Sequence, residues 1–268
     1  MEAKIMAEFI KDNYAGKTLG LVYQNDDFGT DAIKGFAQAG LKFDVTIPYT
    51  SGTQSASTAQ TWVSQLAAAK AQVVVMFGVT SATGPLLAVA AAARYAPQWI
   101  LGSVGGDATT LRALGVPAAV LNGAQGASFL PSPGDTSDEY VKLFQEVNEK
   151  YNKGVAFDNN VLVGMNGAML TVQALRAAGK NLTRKGLIRA MQTKGSKFAS
   201  AGLAPLNWST TSQVGYNGYW FGQYDATGNM KPLAGGVVVY TTDNARGAVV
   251  KSNYKRPAMP AKGLPTNS

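Results

Sequence analysis

Residues 16–40 read GKTLGLVYQNDDFGTDAIKGFAQAG. Thr18 to Tyr23 is a short apolar run of the kind that forms a buried strand. Gln24 to Gly29 is a polar turn. Thr30 to Gly40 places Ala32, Ile33, Phe36 and Ala37 on one helical face, and Phe43 to Ile47 resumes as a strand. Strand, helix and strand in about 30 residues make a βαβ unit. Such a unit implies a parallel sheet with right-handed crossovers.

The same alternation continues downstream. Ala56 to Ala69 is a helix, and Gln72 to Phe77 (QVVVMF) is a β-branched run suited to a strand covered on both faces. Thr83 to Tyr95 is an Ala-rich helix, Trp99 to Gly102 a strand, and Thr109 to Leu114 a short helix. Upstream, Ile5, Met6 and Phe9 share a face of an amphipathic helix. Glu2, Lys4 and Glu8 interrupt what a signal peptide would need as its apolar region. Together these elements predict a doubly wound α/β region.

After Asn122 the texture changes. Gly123 to Phe129 reads as a strand. Asp138 to Tyr151, Val161 to Ala178 and Thr183 to Met191 read as helices, the last with Thr183 as N-cap. Three helices with one strand look like pieces that pack on a sheet supplied from elsewhere. Trp208-Ser209, Gly218 to Tyr224 and Gly236 to Thr241 then read as strands, with Asp225 to Asn229 as a turn. From Arg246 the chain becomes basic and Pro-containing, and Ala258 to Ser268 reads as a mobile tail.

Composition narrows the chemistry. The chain has 268 residues, 46% of them hydrophobic and 15% charged, with neither Cys nor His. Without His there is no Ser-His-Asp triad, and without either residue no ordinary zinc site. No cofactor or metal is expected, and an enzyme is disfavoured, although Ser-Lys or carboxylate chemistry stays open. The net charge of +8 is spread in ones and twos, apart from Lys251, Lys255, Arg256 and Lys262, so no nucleic-acid footprint is expected. No run of 18 apolar residues occurs.

Three turns follow strands and precede helices, which in a parallel sheet places them at its ligand-binding edge. In the first, Phe28 either stacks on a ligand or packs locally beside a turn closed by Asp26 or Asp27. In the second, Val79, Thr80 and Ser81 present amides and hydroxyls suited to an anionic group, or Ser81 serves as a plain N-cap. In the third, Asp107 either pairs with a ligand ammonium or caps the helix that starts near Ala108. No dinucleotide or P-loop glycine pattern is present.

The opening stretch resembles the second lobe of type I periplasmic binding proteins, in particular the branched-chain amino-acid (Leu/Ile/Val) receptors of ABC importers. Further pieces follow in that family's order: QVVVMFGVTSATGPLL (72–87), WILGSVGGDATTLRALG (99–115), VGMNGAMLTVQALRAAGKNLTRKGLIRAM (163–191) and PLNWSTTSQVGYNGYWFGQYDATGNM (205–230). The resemblance implies a two-lobed clamp in the periplasm or outside the cell, with a small solute and a membrane permease as partners. It puts Phe28 where the family has a stacking Tyr, Val79 or Thr80 in place of a second aromatic, and the acid that holds an ammonium near Val104 or, with a small shift, at Asp107. It assigns 1–122 to the second lobe, 123–205 to a returning part of the first lobe, and 206–268 to closing strands of the second lobe and a basic tail. The first lobe is expected to be incomplete, because the likeness begins at the helix before lobe two. A ligand-sensing receptor domain of the same fold is the alternative.

Overall fold

The computed structural model describes residues 1–243 and 246–259. The chain divides into two compact units: residues 1–128 with 220–240, and residues 129–219 with 241–268.

Unit 1 opens with α1 (Glu2–Tyr14) and then alternates β1 (Leu19–Gln24), α2 (Asp27–Gln38), β2 (Val45–Tyr49), α3 (Ala56–Ala68), β3 (Val73–Phe77), α4 (Thr80–Ala92) and β4 (Gln98–Leu101). Two short helices, α5 (Ala108–Ala113) and α6 (Ala118–Leu121), lead to β5 (Gln125–Ser128). The chain later supplies β6 (Gly218–Tyr224), β7 (Met230–Pro232) and β8 (Val239–Thr241). The sheet order is β2-β1-β3-β4-β5-β6-β8, with β7 paired to β6. Pairing is parallel from β2 through β5 and antiparallel where β6 joins β5.

All five residues of β3 are buried, as a central strand with helices on both faces requires. Leu21, Val75 and Ile100 are at most 1% exposed. Burying an aliphatic side chain of this size contributes about 1.5–3 kcal/mol, so this row is a main source of cohesion. The amphipathic face of α1 is inserted too: Ile5, Met6, Phe9 and Ile10 are buried, and the Phe9 ring stacks on Phe221 at 3.9 Å.

Several elements depart from the sequence reading. Helix α4 starts at Thr80 rather than Thr83, immediately after the Gly78-Val79 turn, and carries Pro85 inside it. Trp208-Ser209 is not a strand; only an isolated bridge between Leu206 and Tyr216 forms there. The boundary expected at 122 falls at 128, because β5 hydrogen-bonds to β4 on one side and β6 on the other and so belongs to unit 1. Residues 206–219 group with unit 2 rather than with the closing strands, since Leu206 is buried against Leu170, Ala174 and Phe198.

Unit 2 contains α7 (Glu139–Tyr151), α8 (Asn159–Ala178), α9 (Arg184–Lys194), a one-turn 3₁₀ helix (Gly195–Lys197) and the three-residue strand β9 (Val250–Ser252). One core gathers Leu130, Tyr140, Val141, Phe144 and Leu162. Asp138, Asp158 and Thr183 cap the three helices with side-chain oxygens. Helix α8 is, among the described residues, the one helix long and apolar enough to cross a membrane by length and composition. Its buried Asn166 and Gln173 are tied instead to the 199–201 backbone, the bonding of a helix packed on protein.

The basic stretch from Arg246, with the first two residues of the expected tail, is docked as far as it is described. The Arg256 guanidinium donates to Asp138 Oδ2 at 2.6 Å and to the Ala201 carbonyl at 2.9 Å, and lies over the Tyr140 ring. The Met259 amide donates to Glu139. The rest of that tail, with Lys262, lies outside the described residues.

Candidate functional site

The strand order reverses between β1 and β3. From β1 the chain crosses to β2 on one side; from β3 it crosses to β4 on the other. Right-handed crossovers then send α2 and α4 to opposite faces. Consistent with this, α2 packs with α1 and α3 with α4. Loops that diverge in this way leave a crevice at the carboxyl ends of the strands, where open α/β sheets bind ligands.

The β1 rim is a capped helix start. Asp26 Oδ1 accepts from the Phe28 and Gly29 amides, while Oδ2 accepts from the Gln24 side-chain amide. These bonds, led by the one from Gln24, hold the Asp26 carboxyl below the usual carboxylate range. Phe28 is half-buried, its ring 4.8 Å from that of Phe77.

The β3 rim differs. Val79 is the N-cap of α4 and offers no side-chain oxygen, so the turn is uncapped. Ser81 does not cap it; its hydroxyl is exposed and accepts from Gln54 at 2.8 Å. The Thr80 and Ser81 amides open a 13-residue helix whose dipole favours a negative or electron-rich group at that end.

Beneath both rims lies Tyr49, the last residue of β2 and 4% exposed. Its hydroxyl accepts from the Val79 amide at 3.2 Å and donates to Gln24 Oε1 at 3.1 Å. Burial, with a smaller contribution from the Asp26 charge, pushes this phenol above its ordinary value, so it stays a donor.

The third turn follows β4. Ser103 donates through its amide and hydroxyl to the two oxygens of Glu2, at 2.7 and 2.9 Å, latching the start of α1 to this loop. Gly105 lies so close to the β3–α4 turn that an added Cβ would sit 2.7 Å from the Gly78 carbonyl oxygen. Asp107 is the N-cap of α5: Oδ1 accepts from the Thr109 and Thr110 amides, and the side chain is buried. Its second oxygen, Oδ2, is buried without a hydrogen-bond partner. Behind it, the Tyr224 hydroxyl donates to the Gly106 carbonyl, and burial, then the Asp107 charge, drive that phenol upward.

Phe28, Val79, Thr80, Ser81 and Asp107 thus all stand on turns after three adjacent strands. Of the alternatives the sequence left open, Ser81 is not a helix cap, since Val79 holds the N-cap position without a side-chain bond, and Asp107 is the N-cap of α5. Tyr49, Gln24 and Glu2 were not picked out. An aromatic at the end of an edge strand and an acid in a first helical turn carry no local signal of reaching another loop. Among the described residues, no cluster of acidic side chains is placed to hold a metal.

The model of a family described as periplasmic binding protein matches residues 1–229. The chain belongs to the periplasmic binding protein family. A branched-chain amino-acid ABC transporter protein from Thermus thermophilus with bound valine superposes with a TM-score of 0.73 at 18% identity, covering 91% of this chain and 66% of that one. A fatty acid ABC transporter substrate-binding protein from Thermomonospora curvata gives 0.71 at 22% identity, covering 96% and 64%. A solute-binding protein from R. palustris in complex with benzoate gives 0.69 at 16% identity, covering 94% and 64%. This periplasmic binding protein spans about 65% of the length of the solved structures it matches. A search of curated proteins finds no match. The family and these neighbours are binding proteins rather than enzymes, and membership implies an extracytoplasmic location.

Proposed function

We propose that this chain is the solute-capturing component of an ABC importer, taking a small polar solute such as a branched-chain amino acid or a related amide or aromatic compound, and delivering it to a membrane permease. The observation that carries the reading is the pair of rims at the strand-order reversal. One rim bears the half-buried Phe28 ring; the other is an uncapped helix start with the Thr80 and Ser81 amides and hydroxyls. An apolar face opposite polar donors suits a molecule with a hydrocarbon or aromatic part and a carboxylate or carbonyl. The neighbours' solutes (valine, fatty acid and benzoate) share that combination.

In this reading Phe28 covers the apolar part, Val79, Thr80 and Ser81 receive the polar end, and Asp107 answers an ammonium through its unpartnered oxygen. Calorimetric titration of the chain with leucine, valine, benzoate and octanoate is the direct test. Absence of heat with every solute would count against it. Asp107→Asn then separates two roles, because Asn caps helices as well as Asp does but carries no charge. Leucine binding weakened about tenfold, the equivalent of 1.4 kcal/mol, would assign Asp107 to the ammonium. Unchanged affinity would leave it as a cap alone.

A further inference from the structure

We infer that Tyr49 is a positioning residue that fixes the spacing of the two rims, an inference that rests on the solute reading of the rims above. The two rims lie on separate loops, at residues 25–29 and 78–81, and their helices leave on opposite faces of the sheet. Nothing in a βαβ plan by itself holds such loops at one separation. A continuous line of hydrogen bonds does so here. The Val79 amide donates to the Tyr49 hydroxyl, and the hydroxyl donates to the Gln24 side-chain oxygen, Oε1. The Gln24 amide nitrogen donates to Asp26 Oδ2, and Asp26 Oδ1 accepts from Phe28 and Gly29.

The polarity of this line is determined throughout. Val79 N–H can only donate, so the tyrosine oxygen accepts there and its single proton goes to Gln24. The Gln24 amide must then present its oxygen to Tyr49 and its nitrogen to the carboxylate. Gln24 and Tyr49 are 8% and 4% exposed, so water does not readily replace either bond. The ring is held laterally by Trp62, at 5.3 Å between centroids. Gly78 adjoins it so closely that an added Cβ would stand 2.3 Å from the Tyr49 oxygen. The β2–α3 connection also feeds the same rim, where Gln54 donates to Ser81. The phenol therefore sets the register between the position that stacks and the position that donates, without itself lying among the solute-facing positions.

Tyr49→Phe tests this, since it removes one oxygen and keeps the ring. The first readout needs no solute: amide hydrogen exchange. The expected result is exchange faster by about tenfold at Val79 and also at Phe28 and Gly29, with α7–α9 unchanged. Gln24→Met, which breaks the line at its next link, should speed the same three amides. The second readout is the affinity for whichever solute of the calorimetric panel binds, expected to weaken severalfold. Faster exchange at Val79 alone would reduce Tyr49 to a local acceptor and overturn the inference. Uniformly faster exchange across unit 1 would do the same, as would faster rims with unchanged affinity. If the unaltered chain binds nothing in the panel, the solute reading falls on that result, while the exchange pattern still decides whether Tyr49 couples the loops.

Discussion

At Gly29 and Gly78, in the strand-end turns of unit 1, an added Cβ would lie 1.7 Å from the Gln24 carbonyl oxygen and 2.3 Å from the Tyr49 hydroxyl. At Gly164 and Gly167, on α8 of unit 2, it would meet nothing within 4 Å. The same contrast holds for apolar side chains. Strand β3 has no exposed residue, whereas α8 leaves Val163, Val172 and Leu175 about 40% exposed, and α9 leaves Ile188 at 54%. Unit 1 is a sheet covered by helices, so its turns are pressed together where strands end. In unit 2 the described helices pack on one another along one side and keep a second apolar side uncovered. A burden of exposed apolar area costs about 25 cal/mol per Å², so the two units draw on unequal cohesion.

The largest effect that breaks this comparison should come from Gly29→Ala. The clash is with backbone, which cannot rotate away, so the β1–α2 turn must shift. A loss of about 3 kcal/mol or more is expected, at the upper end for overpacking. Chemical unfolding followed by tryptophan fluorescence measures it; a variant as stable as the parent would show that the turn is loose.

The next effect lies in unit 2 and shows that its weaker cohesion has a local anchor. Arg256 and Asp138 form an ion pair with side chains only 14% and 8% exposed. Asp138 also caps α7, and Arg256 covers the Tyr140 ring, whose phenol burial pushes up to about 12. Arg256→Ala leaves the carboxylate without its charged partner, but Asp138 keeps its two cap bonds to α7, for an expected loss of about 2 kcal/mol. Hydrogen exchange localises it: α7 and α8 amides should speed while β3 amides hold. Equal changes in both units would refute the local anchor.

Smaller and opposite in sign, Gly164→Ala should stabilise. The position is helical and open, so alanine adds only propensity, about 0.5–1 kcal/mol. A destabilised variant would mean that the open face of α8 needs the bare backbone, and would sharpen the search for what covers it.

The same contrast explains what the sequence could show. In unit 1, QVVVMF and the 16–40 stretch carry their strand and helix periods openly, because each element is buried on sides that the period reveals. Elements in unit 2 were found, but the grouping of 206–219 and 246–259 with them was not. That grouping depends on Leu206 against α8 and Arg256 against Asp138, contacts between residues far apart in the chain. The candidate residues Phe28, Val79, Thr80, Ser81 and Asp107 followed from topology, as turns after strands. The roles of Tyr49 and Glu2 arise only once β2 lies beside β1 and α1 reaches the β4–α5 turn.

The smallest effect should be an acid-side loss of stability carried by two carboxylates of unit 1. Asp26 is held below its ordinary value by the Gln24 side chain and then by the Gly29 and Phe28 amides. Asp225 is lowered by the Thr227 hydroxyl, the Asn229 and Thr227 amides and the Lys231 charge. In each case the unfolded chain takes up a proton at higher pH than the folded one. Their contribution is therefore complete above the unfolded value, about 4, and disappears as pH falls through the lowered folded values. Asp26 is exposed and Asp225 is only partly buried, so solvent keeps the effect small. Asp26→Asn retains the cap of α2 but removes the titration. Melting temperatures of the parent and of this variant should converge as pH falls below the unfolded value of about 4. A constant gap between them would mean that the charge of Asp26 does not hold the β1 rim, leaving the Tyr49 line to end at Gln24.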